Sequence, residues 1–203
     1  MDKPDVIGPE LWAALDSRLW HATSPEGLSG IMQDGEIRSF GERYCNSLCK
    51  KLGGVSLMDF GPSASDRPGQ VQNWMGWFGH QQQCRIAVWI EINRIAVSDR
   101  LLDAKAFHAH WADGNYGTQI IPGVEACHRG PIPTTAFAGI LCVDQFNRSI
   151  FRTSAVADAI DGIATFEATL PPAPPENPLA AARRRGKEEA KRTHSNKRPD
   201  ECS

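Results

Sequence analysis

The stretch Leu19 to Gly35, LWHATSPEGLSGIMQDG, dictates more local structure than any other part of the chain. Leu19 and Trp20, apolar and aromatic, suit a short buried strand. Ser24 is a good helix N-cap. Pro25 fits the first helical position, where its missing N–H costs no hydrogen bond. Leu28, Ile31 and Met32 fall at i, i+3 and i+4, which makes one apolar stripe. Gly35 takes the left-handed conformation that ends a helix. The stretch therefore predicts a strand, a tight turn, one helix and a stop. His21 stands at the end of the strand, beside the helix N-terminus. Alone, it reads either as a core histidine bonded to a backbone carbonyl or as a polar ring that meets a ligand.

The rest of the chain supplies the partners of this unit. Pro9 to Leu15 predicts a short helix whose Leu11, Trp12 and Leu15 cap the domain. A short second strand is expected within Gly35 to Phe40. Tyr44, Leu48 and Leu52 recur at helical spacing, and Gly53-Gly54 stops that helix. Val55 to Met58 reads as a third strand. Trp74, Trp77 and Phe78 form a helical stripe, either packed in the core or offering one ring for stacking on a ligand. Cys84 to Ile92, CRIAVWIEI, is almost continuously apolar. It predicts a central strand, with Glu91 turned outward at its end. Ser98-Asp99 reads as a cap for a helix with Leu101, Leu102 and Phe107 on one face. His108 and His110 are expected at the surface. A turn-rich loop covers Asp113 to Gly117. Another buried strand is expected over Phe137 to Val143, then a last helix carrying Val156, Ile160 and Ile163. Pro171 to Pro175 includes four prolines. It reads as an extended linker.

Composition narrows the class. The chain is 41% hydrophobic and 23% charged. Those proportions suit a soluble globular domain. No apolar run reaches the ~20 residues of a membrane helix, and the N-terminus lacks the layout of a signal peptide. The net charge of −2 hides an asymmetry: residues 171–203 hold eight Lys/Arg against five Asp/Glu. The body is acidic, which argues against a broad nucleic-acid face on it, and the tail is basic. The tail is either a solvated extension or an electrostatic aid for an acidic partner. The six cysteines lack paired close spacings. They read as reduced thiols of a cytoplasmic protein. Cys45 and Cys49 have no partners at zinc spacing, and no metal site is expected.

Two segments together resemble the ADP-ribosyltransferase fold. One is Leu19 to Gly35, with its aromatic-His-x-Thr followed by a helix and Gly-x-Ile. The other is IIPGVEACHRGPIP, Ile120 to Pro133, which is similar to the late strand of such domains, where a glutamate precedes a turn and an Ile-Pro. The resemblance covers Leu19 to Asp144. It implies an α+β fold of two packed, small, mostly antiparallel sheets flanked by helices, with an NAD cleft between them. The implied domains are an N-terminal cap (1–18), the transferase-like domain (19–168), and a linker with a basic tail (169–203). NAD would be the co-substrate and Glu125 the catalytic carboxylate. His21 would hold a ribose hydroxyl, with Thr23 close by, and backbone groups from Trp20 to Ala22 would bind the nicotinamide amide. Arg43 and Arg129 are available for pyrophosphate. Ser56 resembles the small hydroxyl residue that lines the nicotinamide pocket, and Trp74 is the stacking candidate. Asn115 and Tyr116 would face the acceptor. Gly123 stands two residues before Glu125, so the Glu-x-Glu pair of arginine-modifying relatives is missing. The resemblance implies a glycosyltransferase, such as a bacterial toxin or effector. It would act on a nucleic acid or a protein and could be held in check by an antitoxin or immunity partner. An NAD glycohydrolase, or a binding module without catalysis, is the alternative on the same fold.

Overall fold

A computed structural model describes residues 9–39, 47–61, 84–114, 118, 120–147 and 149–172. The chain divides after Leu170. The expectations for Arg43, Trp74, Trp77, Phe78, Asn115, Tyr116 and the basic tail lie outside the described residues.

The local chemistry of residues 19–35 folds as its caps dictate. Strand β1 (Leu19–Thr23) leads into helix α2 (Pro25–Asp34), after the short α1 (Pro9–Leu15). Ser24 Oγ accepts from Gly27 N–H at 3.1 Å. Gly35 ends the helix at φ 76°, and its N–H donates to Ile31 O. Leu28 is fully buried, with Ile31 and Met32 packed on the same core.

β1 becomes the centre of a seven-stranded sheet. Its other strands are β3 (Gly54–Asp59), β4 (Ile86–Ile92), β5 (Leu101–Leu102), β6 (Glu125–Arg129), β8 (Phe137–Asp144) and β9 (Ile150–Thr153), in the order β5-β6-β3-β1-β4-β8-β9. A separate ribbon pairs β2 (Glu36–Ile37) with β7 (Ile132–Pro133). The paired strands run antiparallel throughout the described residues. The α+β class and the antiparallel pairing stand. In place of two small packed sheets there is one continuous sheet and a two-stranded ribbon, because β1 bonds to β3 on one side and to β4 on the other.

Alternation along the strands sorts the core into two faces. Ile86, Val88, Ile90 and Ile92 of β4 join Leu19, Val55, Leu57 and Ile140 on the first face. Helix α5 (Ala159–Thr169) packs there through Ala159 and Ile163, while Ile160 points outward. Ala87 and Trp89 join Trp20, Met58 and Leu141 on the second face, under Leu11 and Leu15 of α1. Trp12 meets Phe60 edge to face at 5.7 Å. A third apolar cluster lies where α3 (Leu48–Lys51) and α4 (Ala104–Gly114) meet β6. Glu91 turns outward into ion pairs with Arg18 (3.4 Å) and Arg152 (2.7 Å).

Two further expectations need correction. Leu101 and Leu102 are not helical: they form β5 on the sheet edge, paired with His128 and Cys127. The cap of α4 is Asp103, whose Oδ1 accepts from Ala106 N–H at 2.8 Å, not Ser98-Asp99. Second, not every thiol is reduced. Cys49 on α3 and Cys127 on β6 form a disulfide with a Cα–Cα distance of 5.5 Å and a sequence separation of 78. In the chain-entropy treatment, closing a loop of that length stabilises the fold by roughly 4.5 kcal/mol. Cys84 and Cys142 are free thiols, and burial pushes the Cys142 thiol up to about 12.

Candidate functional site

The sheet brings His21, Ser56 and Glu125 together from three adjacent strands, β1, β3 and β6. Met58 pairs with Trp20 on one side and with Glu125 on the other, and Ser56 pairs with Cys127. Paired residues share a face. Ser56 and Glu125 therefore project from the second face, in the row between the Trp20–Met58 cluster and the Cys49–Cys127 cluster. Ser56 Oγ–H donates to Glu125 Oε1 at 3.0 Å. The second carboxylate oxygen, Oε2, accepts from Ile121 N–H at 3.0 Å.

The Pro122-Gly123 turn creates that second contact. Gly123 takes φ 72°. This left-handed value is one that a side chain would disfavour. The turn folds the backbone so that Glu125 N–H donates to Ile121 O at 2.9 Å while Ile121 N–H returns to the carboxylate. The reciprocal pair holds Glu125 much as a capping box holds a helix start. Burial raises the Glu125 pKa, and the Ile121 and Ser56 hydrogen bonds offset part of that rise. The result is a half-buried carboxyl that holds its proton more readily than an exposed one.

Pairing between β1 and β3 covers Leu19 with Asp59 and Trp20 with Met58. On its other side β1 stays paired with β4 through Thr23. The β3-facing edge of Ala22 and Thr23 thus has no strand paired against it among the described residues. At this opening the His21 ring does what a ladder N–H would otherwise do. Its Nδ1 lies 3.0 Å from Ser56 O. A carbonyl only accepts, so Nδ1 carries the proton and Nε2 is the acceptor. Burial lowers the His21 pKa and the Ser56 bond offsets part of the effect, so the neutral ring prevails at neutral pH. One serine thus ties both polar groups: its carbonyl holds His21 and its hydroxyl holds Glu125.

The other anticipated contacts separate. The Trp20 side chain is a core group, fully buried, and its Nε1–H donates to Leu15 O at 3.0 Å. Its backbone is also within the sheet, paired with Met58 on one side and Glu91 on the other. Thr23 packs under α2, where a side chain on Gly27 would collide with its Oγ1. Arg129 is exposed at the far end of β6, paired with Gly54. No group of three or more metal-ligating side chains occurs among the described residues.

Sequence reasoning missed two supports of the site. One is the Ile121 amide, which the Pro-Gly turn could have signalled. The other is Asp59, buried at the end of β3. Its N–H donates to Val124 O at 2.7 Å, and its carboxylate accepts from Gly61 N–H (2.7 Å), Ala104 N–H (3.2 Å) and Arg94. Burial alone would raise its pKa. The Arg94 hydrogen bond and charge, with the two backbone donors, outweigh that and hold it below the ordinary value.

No protein-family model, no curated protein and no solved structure matches the chain.

Proposed function

We propose that the chain is an NAD-dependent ADP-ribosyltransferase in which Glu125 is the catalytic carboxylate. The linking of His21 and Glu125 through one serine carries this reading: the Ser56 carbonyl holds His21, which alternation sets on the first face, and the Ser56 hydroxyl holds Glu125 on the second, beside the opening between β1 and β3. Cleaving the glycosidic bond of NAD sends the bonding pair out with nicotinamide and leaves positive charge at the ribose C1. A fixed carboxylate next to that carbon stabilises the charge as it develops. Glu125 is fixed by two donors. It retains lone pairs for a ribose 2′-OH. Neutral His21 offers Nε2 to a second ribose hydroxyl. The edge of Ala22 and Thr23 supplies backbone groups for the nicotinamide amide. The raised pKa of Glu125 also suits it to take the proton of the attacking acceptor.

The acceptor in this reading is a nucleic acid or a protein, as for a toxin or effector with a cognate antitoxin. The expectation of a cytoplasmic chain rests on reduced thiols. The Cys49–Cys127 bridge weighs against it and favours folding in oxidising surroundings. In the described residues no helix is long and apolar enough to cross a membrane.

The test is nicotinamide release from NAD by wild type beside Glu125→Gln, with and without mixed nucleic acid and protein as acceptors. Release that depends on Glu125 supports the reading, and uptake of label by one acceptor names the target. Release only into water makes the chain a glycohydrolase. No release from folded protein under any condition overturns the enzyme assignment.

A further inference from the structure

We propose that the Cys49–Cys127 disulfide is a redox lock on the site, and that the oxidised form is the competent one. The inference rests on the transferase reading for its activity readout and on geometry alone for its structural readout. Cys127 lies two residues after Glu125 on β6 and directly across from Ser56 on β3. The strand that carries the carboxylate and the pairing that delivers its hydroxyl donor therefore both run through the bridged residue.

The sulfurs fill a space with no slack. Both cysteines are fully buried, among Leu48 and Phe107. Gly54, at the start of β3, lies directly against them. A Cβ there would stand 2.5 Å from Cys127 Sγ, 2.6 Å from His128 O and 3.1 Å from Cys49 Sγ. Two thiols need more room than one disulfide, because bonded sulfurs become a non-bonded pair. In a close-packed interior that room comes from moving an element. The element next to the sulfurs is the start of β3, paired as Gly54 with Arg129, Val55 with His128 and Ser56 with Cys127. Displacement there acts directly on the Ser56–Glu125 hydrogen bond. α3 is only four residues long, and the bridge ties it covalently to β6.

The switching step is thiol–disulfide exchange. Because both sulfurs are buried, exchange proceeds from a form in which α3 has opened locally: a dithiol reductant attacks the exposed sulfur, the S–S bond breaks, and the second reductant thiol closes on the mixed disulfide. Two electrons and two protons pass to Cys49 and Cys127, and the reductant leaves as its own cyclic disulfide.

The experiment compares the full chain oxidised, the same chain unfolded and refolded in dithiothreitol, and the Cys49→Ala/Cys127→Ala variant. Mass mapping confirms the state of the pair. Amide exchange is read over 54–58 and 125–128, with 87–91 and 139–143 as the internal control, beside nicotinamide release. Without the bridge, exchange at the β3–β6 seam should rise by at least about tenfold while the control is unchanged. Release should fall by about tenfold or more. Unchanged seam exchange in both bridge-free forms overturns the lock. Equal loss of protection in both regions overturns it too, since the bridge is then a staple of the whole fold. Higher release in the reduced form reverses the direction and overturns the claim that the oxidised form is competent. If the seam loosens selectively and no form releases nicotinamide, the lock stands and the transferase reading falls.

Discussion

The two halves of the seven-stranded sheet share the same apolar clusters and differ in the polar and covalent contacts added to them. On one side, β4 and β8 pair from Ile86–Asp144 to Ile92–Phe137, and alternate residues fill the apolar clusters of both faces. On the other, β3 and β6 carry a glycine, a serine and a glutamate along one face. Beside Val55, Leu57, Met58 and Ala126 in those same clusters, they hold a disulfide, the Ser56–Glu125 hydrogen bond and the buried Asp59, where the β4–β8 side holds the Arg85–Asp144 ion pair. Hydrophobic contact is strong but non-directional, so it supplies stability without aiming a particular polar atom. Hydrogen bonds and covalent links fix geometry. The β3–β6 half thus contributes stability and, in addition, holds the Glu125 carboxylate in one place.

Substitutions should expose that division in a graded way. Trp89 is a buried indole in the β4–β8 half. Trp89→Ala should cost about 3–5 kcal/mol in chemical denaturation. Its surviving folded fraction should keep normal nicotinamide release per molecule. Glu125→Gln should do the reverse, lowering release by about a hundredfold to a thousandfold. Its stability should stay within about 1 kcal/mol, because the amide oxygen can take the Ile121 donor while Ser56 Oγ accepts from the new NH2. Equal losses of stability and rate in either variant would dissolve the distinction.

Asp59→Asn tests the polar supports. It leaves Arg94 without its buried counter-charge. The loss should cost about 2–3 kcal/mol. The pH dependence of stability adds a second readout. The folded pKa of Asp59 is depressed. Its stabilisation is therefore present above the unfolded value of about 4 and is lost as pH falls through the folded value. Glu125 has the opposite sign: its contribution is full below its unfolded value and fades as pH rises through the raised folded value. Acid unfolding of Asp59→Asn should therefore be shallower than that of wild type, while Glu125→Gln should flatten the slope on the other flank. The smallest effect belongs to Ile95→Ser. Ile95 is 86% exposed. Its replacement should change stability in the same denaturation by no more than about 0.5 kcal/mol.

What the sequence disclosed follows the range of the forces involved. The β1–α2 unit was legible because Ser24, Pro25 and Gly35 act on their own backbone within a few residues. β4 was legible because a strand buried on both faces leaves an almost unbroken apolar run. Leu101 and Leu102 mislead, since two adjacent leucines beside Ser98-Asp99 carry a helical signal that only pairing with β6 overrides. The cysteine pair and the Asp59–Arg94 pair join residues 78 and 35 apart, and spacing encodes neither. Of the site, the sequence singles out Glu125, His21 and Ser56. It does not disclose their mutual bonds, because those depend on register across three strands. The expected division into two sheets misses for the same reason, since the local pattern of β1 says nothing of partners on both sides.

The strand order also governs time. β1, the middle of the sheet, is the first of its strands to be made, while β4 and β8 follow much later along the chain. Such a chain is rich in non-local pairings and is expected to fold in milliseconds to seconds, long after α2 has begun to form and melt in about a microsecond. During synthesis the central strand gains β3 early but waits for its second neighbour until the polypeptide has emerged past Ile92, and the sheet waits for β8 until Asp144 has emerged. Cys127 emerges after β4 and shortly before β8, so the bridge to Cys49 closes late, and whatever oxidises the pair meets a chain whose sheet is still being assembled.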